Sequence, residues 1–223
     1  MSVDLIRPDF TAAVFDLDGT LFDSMWFWSG LDAAFLKKRG IDEVPNDYLL
    51  AIAHLGALET AIYTKERFGL ADSPEELMEE WHDEAVRFYT NDVQLKDGVL
   101  AYLNMLRARG IKLGVATASS PELYMPALRR LGIAELFSAF ADVNECARKK
   151  GFPDVYELAC SRMGAAKEDT VVFEDICIAV CGAKDGGFRT VGVYDSTSEC
   201  DREKIIAKAD AFITNFADLI QQN

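Results

Sequence analysis

The stretch 14-VFDLDGTLFDS-24 decides the fold. Val14, Phe15, Leu17 and Leu21 are apolar, Asp16 and Asp18 are set among them, and Asp23 follows close behind. A buried carboxylate carries an effective penalty of several kcal/mol unless something offsets it. An apolar run that ends in two aspartates therefore reads as a buried strand delivering charge to a site at its carboxyl end.

Working outward, short apolar runs recur at 12–15, 113–117, 139–143, 171–173, 190–193 and, more weakly, 211–213. They are near-continuous rather than alternating, as strands covered on both faces should be. Helical patterns lie between them at 98–109, 121–131, 153–163, 178–185 and 201–208. Gly110, Gly132, Gly164 and the pair Gly186–Gly187 stand where helix C-caps belong. This alternation implies an α/β fold, a doubly wound parallel sheet.

From Met25 to about Gln94 the strands stop. Helical patterns run 28–39, 46–54, 57–68 and 74–89, broken at Gly40, Gly56 and Gly69. The expected organisation is a Rossmann-like core of residues 1–22 and 95–223 with an all-helical cap of residues 23–94 inserted after the first strand.

Composition narrows the partners. With 23 basic and 37 acidic residues the formal charge is −14, which argues against nucleic acid and anionic membranes. No apolar run approaches a membrane span, and the start MSVDLIRPDF lacks the features of a signal peptide. The five cysteines form no CxxC pair, so reduced, mostly buried thiols and a cytoplasmic location are expected. Cys177 and Cys181 stand four apart, but both histidines are far away in sequence, so no metal site is read there.

In such sheets ligands bind beyond the carboxyl ends of the strands. The first strand delivers Asp16 and Asp18; the second Thr117, Ala118, Ser119 and Ser120; the region after the third Lys149 and Lys150; the fourth Glu174 and Asp175. Clustered carboxylates repel one another, and a hard divalent cation such as Mg²⁺ is the natural compensation. A threonine hydroxyl, backbone N–H groups and a lysine ammonium can share the charge of a phosphoryl group. One carboxylate facing phosphorus can act as nucleophile, and a second as general acid and then base.

Asp16-Leu17-Asp18-Gly19-Thr20, Thr117, Lys150 four residues before Asp154, and Glu174-Asp175 occur in order. This series resembles the haloacid dehalogenase superfamily of phosphohydrolases and phosphomutases, in the branch with a helical cap. The resemblance implies that Asp16 is nucleophile and metal ligand, and that Asp18 is the acid/base, with its backbone carbonyl on Mg²⁺. It implies phosphate-binding roles for Thr117, Ala118 and Lys150, and metal ligation by Glu174 and Asp175, with Asp175 the stronger candidate. Asp23 and Ser24 suit helix capping and are given no catalytic role.

The chain departs from the family pattern at Ile176, Ala179 and Gly151, where serine, glycine and proline are usual. Arg148 and Lys149 read as solvated surface charge. In the cap, 52-IAHLGALET-60 corresponds to the stretch where β-phosphoglucomutase-like relatives carry a phosphate-gripping arginine; it holds His54 but no arginine. His54 and Trp26 are the candidate specificity residues, though Met25–Trp28 also suits packing. The implied function is Mg²⁺-dependent hydrolysis of a small phosphorylated metabolite by a monomer or weak dimer. A phosphosugar mutase and a non-catalytic binding protein on the same fold are the alternatives.

Overall fold

The computed structural model describes residues 3–6, 8–52 and 57–220. In chain order the first elements are β1 (Ala12–Phe15), β2 (Phe22–Asp23), α1 (Met25–Lys38), α2 (Asn46–Ile52), α3 (Ala57–Phe68), α4 (Pro74–Asn91) and β3 (Gln94–Leu95). Then come α5 (Val99–Ala108), β4 (Lys112–Thr117), α6 (Pro121–Arg130), β5 (Ala139–Asp142) and α7 (Asp154–Met163). The chain continues with β6 (Thr170–Glu174), α8 (Cys177–Asp185), β7 (Arg189–Val193), α9 (Arg202–Lys208) and β8 (Ala211–Ile213).

Six strands form one sheet in the order β5-β4-β1-β6-β7-β8. Every pairing in it is parallel, so the α/β class expected from the sequence holds. All four residues of β1 are fully buried. Phe15 aligns with Val115 of β4 and Phe173 of β6, and its ring stacks on Phe173 at 4.4 Å. Ala12, Val14, Ala116 and Val172 belong to a cluster with Val155, Tyr156, Ala159 and Met163 of α7. Gly114 makes that helix fit, since a methyl group there would lie 2.9 Å from the Met163 sulfur.

The chain divides into two compact units, Met1–Met25 with Val93–Asn223, and Trp26–Asp92. Within the helical unit, Phe35, Leu36, Tyr48, Ala61 and Leu77 form the core. Its entry into α4 is fixed by Ser73 and Glu76, each bonded to the other's backbone N–H, with Pro74 opening the helix. Arg39 pairs with Asp72 and Glu80 while its guanidinium lies 3.7 Å from the Phe35 ring centre.

The strand-free stretch expected from Met25 to about Gln94 is flanked by a ladder the sequence did not show, β3 paired antiparallel with β2. The two strands are two residues each, too short for any period to register. The cysteines are all free, but only Cys160 is buried; Cys146, Cys177 and Cys181 are half-buried and Cys200 is exposed. Among the described residues no helix is long and apolar enough to cross a membrane.

Candidate active site

The sheet register builds the site. Because Phe15, Val115 and Phe173 are level, the residues just beyond them emerge at one edge. The Asp16 N–H donates to the Phe173 carbonyl at 3.1 Å, holding the first aspartate beside β6. The chain then turns sharply, with the Leu17 carbonyl accepting from Leu21 and Phe22 at 2.9 and 2.7 Å. Gly19 takes φ +78°, and a methyl group there would overlap the Asp175 carboxylate. Glycine is needed twice over, for its dihedral and for the approach of Asp175.

Asp16, Glu174 and Asp175 are all buried, and each offers an oxygen within 4.8 Å of the others. Lys150 is buried with them; its Nζ pairs with Asp16 Oδ1 and lies 2.7 Å from Glu174 Oε1. Tyr156 on α7 donates its hydroxyl to the same Glu174 oxygen at 2.8 Å. Two oxygens, Glu174 Oε2 and Asp175 Oδ2, are buried without a hydrogen-bond partner. Orphaned carboxylate oxygens on converging side chains fit a hard cation.

The electrostatics agree. Burial, reinforced by the charges of Glu174, Asp175 and Asp18, raises Asp16 well above the ordinary carboxylate range despite the facing Lys150. Burial, with the Glu174 charge next, pushes Asp175 up to about 7. Burial disfavours the Lys150 ammonium, yet the facing Asp16 and Glu174 charges raise it above the ordinary lysine value. One lysine does not neutralise three crowded carboxyls.

The β4 edge supplies the hydroxyls. Thr117 is fully buried at the end of β4, and its Oγ1 accepts from the Ser119 N–H at 3.0 Å. Ala118 is exposed, and α6 starts three residues later behind Ser120 and Pro121. A helix N-terminus at this edge suits an anion. Asp18 is not one of the three clustered carboxyls. Its Oδ2 accepts from Ser119 Oγ at 2.6 Å and its Oδ1 from Ser24 Oγ at 2.7 Å.

Thus Asp16, Lys150, Glu174 and Asp175 meet directly, while Thr117 and Asp18 are tied to one another through Ser119. Arg148 and Lys149 are exposed, and Arg148 pairs with Asp154 at 2.7 Å. In the helical unit Trp26 is 59% exposed and sets its ring edge-to-face against Phe27 and Phe88. His54 lies outside the described residues.

Sequence reading missed three contributors, Ser24, Tyr156 and Asp195, and placed Ser119 at the site without a role. Ser24 turns from its expected capping use to hold Asp18. Ser119 and Tyr156 carry no motif of their own. Asp195 had a signal, since it stands just past the end of β7. It takes Lys96 at 2.8 Å, and both charges are felt by Asp175.

A buried carboxylate cluster, a lysine and hydroxyls gathered at one edge of a parallel sheet are the equipment of an enzyme. The chain belongs to the haloacid dehalogenase-like hydrolase family, whose profile matches residues 13–193. It is 26% identical over 191 residues to a phosphorylated carbohydrates phosphatase of Thermotoga maritima, covering 84% of this chain and 87% of that one. It is also 26% identical over 211 residues to the validoxylamine A 7'-phosphate phosphatase of Streptomyces hygroscopicus subsp. limoneus, covering 94% and 96%. A solved structure from Thermotoga maritima, provisionally assigned to β-phosphoglucomutase, superposes with a TM-score of 0.78 at 25% identity, covering 94% and 97%.

Proposed function

We propose that the chain is a Mg²⁺-dependent phosphatase that hydrolyses a small phosphorylated metabolite, a sugar phosphate or similar, through a phosphoryl group carried on Asp16. The observation that carries this reading is the buried Asp16 beside Lys150 with the orphaned oxygens of Glu174 and Asp175. Asp16, the Asp18 carbonyl, Glu174 and Asp175 are the proposed holders of Mg²⁺. The bound ion would offset carboxylate repulsion and withdraw charge from the phosphoryl oxygens.

An Asp16 oxygen attacks phosphorus, and the bond from phosphorus to the leaving oxygen breaks. Asp18 gives its proton to that oxygen, releasing the alcohol. Asp18, now a carboxylate, takes a proton from the water that attacks the phosphoryl group. The Asp16–phosphorus bond breaks, returning the carboxylate and inorganic phosphate. Lys150 and Thr117 share the phosphoryl charge.

Hydrolysis is favoured over mutase chemistry by the cations of the helical unit. A mutase must hold a sugar monophosphate by its existing phosphate, for which a bidentate arginine is suited. Arg39, Arg67 and Arg87 are each paired with carboxylates inside the unit. Lys65 is taken up by the carbonyls of Leu70, Ala71 and Asp72. The likeness to the β-phosphoglucomutase structure keeps the mutase as the second reading.

Phosphate release from p-nitrophenyl phosphate is expected with Mg²⁺ and to vanish in excess EDTA, and Asp16→Asn abolishes it while keeping the fold. Full turnover in EDTA, or by a deamidation-free Asp16→Asn protein, refutes the mechanism. Conversion of β-glucose 1-phosphate to glucose 6-phosphate, primed with bisphosphate and faster than phosphate appears, selects the mutase.

A further inference from the structure

Asp18 is held at both oxygens. Ser24 Oγ donates to Oδ1 at 2.7 Å and Ser119 Oγ to Oδ2 at 2.6 Å. Neither serine is a mobile surface group. Ser24 is fully buried, and Ser119 is 8% exposed with its own N–H bonded to Thr117 Oγ1. That turn fixes where the Ser119 hydroxyl stands. A carboxylate accepts at both oxygens, so two such bonds orient the group.

We propose that Ser119 is a positioning residue for proton transfer, clamping Asp18 with Ser24 so that its carboxyl group faces the leaving oxygen. The inference rests on the reading of Asp18 as acid and base. Hydroxyls donate and accept, so the clamp serves both halves of the reaction. It donates to the Asp18 carboxylate, and either hydroxyl can turn when Asp18 carries the proton. The arrangement also accounts for Thr117 lying two residues before Ser119. Thr117 anchors the turn, and Ser119 carries the anchor to the acid.

The test compares two aryl phosphates of similar shape, phenyl phosphate with a basic leaving group and p-nitrophenyl phosphate with one that departs without a proton. The readout is kcat/KM, which ends at the first irreversible step and excludes hydrolysis of the phosphorylated enzyme. A positioned acid contributes roughly 10²–10⁴-fold, so Ser119→Ala is expected to lower kcat/KM for phenyl phosphate by about tenfold or more and for p-nitrophenyl phosphate by less than about twofold. Ser119→Thr keeps the hydroxyl and restores phenyl phosphate turnover.

Equal losses on both substrates, or none on either, overturn the proposal, because a packing or phosphate-binding role is blind to the leaving group. So does a selective loss that threonine fails to rescue. Asp18→Asn is run alongside. If it spares phenyl phosphate turnover, the acid assignment itself fails, whatever Ser119 does.

Discussion

Lys150 is the residue on which the charge balance of the site turns, because it pairs with both Asp16 and Glu174. Replacing one member of a buried ion pair leaves its partners uncompensated, and Lys150→Met is expected to cost about 3 kcal/mol at neutral pH in chelator. Urea denaturation measures it. The cost should shrink on acidification, because Asp16 and Asp175 already sit above the usual carboxylate range and take up protons instead. An unchanged cost at pH 5 would show that the loss comes from packing. At this scale the charged residues were legible, since aspartates and a glutamate beside apolar strands have no bland use. The roles of Ser24, Ser119 and Tyr156 were not. A serine before a helix reads as a cap, and a tyrosine within α7 reads as core, until the oxygen each one reaches is visible.

Among the elements, the strands were legible because burial on both faces leaves a continuous apolar run, as in β1 and β6. The close approaches between elements were not, because they depend on which surfaces meet. Gly182 on α8 is the clearest case. A methyl group there would lie 2.7 Å from the Gly151 carbonyl carbon and 2.8 Å from the Phe152 nitrogen, within the backbone that follows Lys150. Backbone cannot swing aside as a side chain can. Gly182→Ala is therefore expected to destabilise by about 2 kcal/mol, in the range of overpacking, and to lower kcat by displacing Lys150. A variant with wild-type urea midpoint and kcat would show that α8 and the Lys150 loop part without consequence. This also tempers the departure at Ala179, since on α8 the glycine pressed against the Lys150 loop is Gly182.

For the whole molecule, crowding at the site links stability to pH and to metal. Asp175 titrates near 7 in the fold against an ordinary value of 3.8. Between those values the folded chain holds a proton that the unfolded chain has released. The metal-free protein therefore loses stability as pH rises from about 4 to 7, and Asp175→Asn should flatten that slope. A cation that binds only the folded state raises stability in proportion to the logarithm of its concentration above Kd. Mg²⁺ should accordingly raise Tm, and more at pH 8 than at pH 5, as calorimetry with and without EDTA would reveal. Equal shifts at both pH values count against metal at these carboxyls. The alternation of strand and helix, and the break in it, made the large-scale plan readable. The two-residue β2–β3 ladder was too small to leave a trace.

The sheet order has a consequence for how the chain is made. β1 is translated before both of its sheet partners, which begin at Lys112 and Thr170. The helical unit closes on itself within residues 26–92, with contacts near in sequence, and such contacts form fast. While that unit emerges from a ribosome, the apolar strand ahead of it still has two open edges. Open strand edges invite pairing with other chains. β1 gains its first partner at Lys112 and keeps one edge open until Thr170 has emerged.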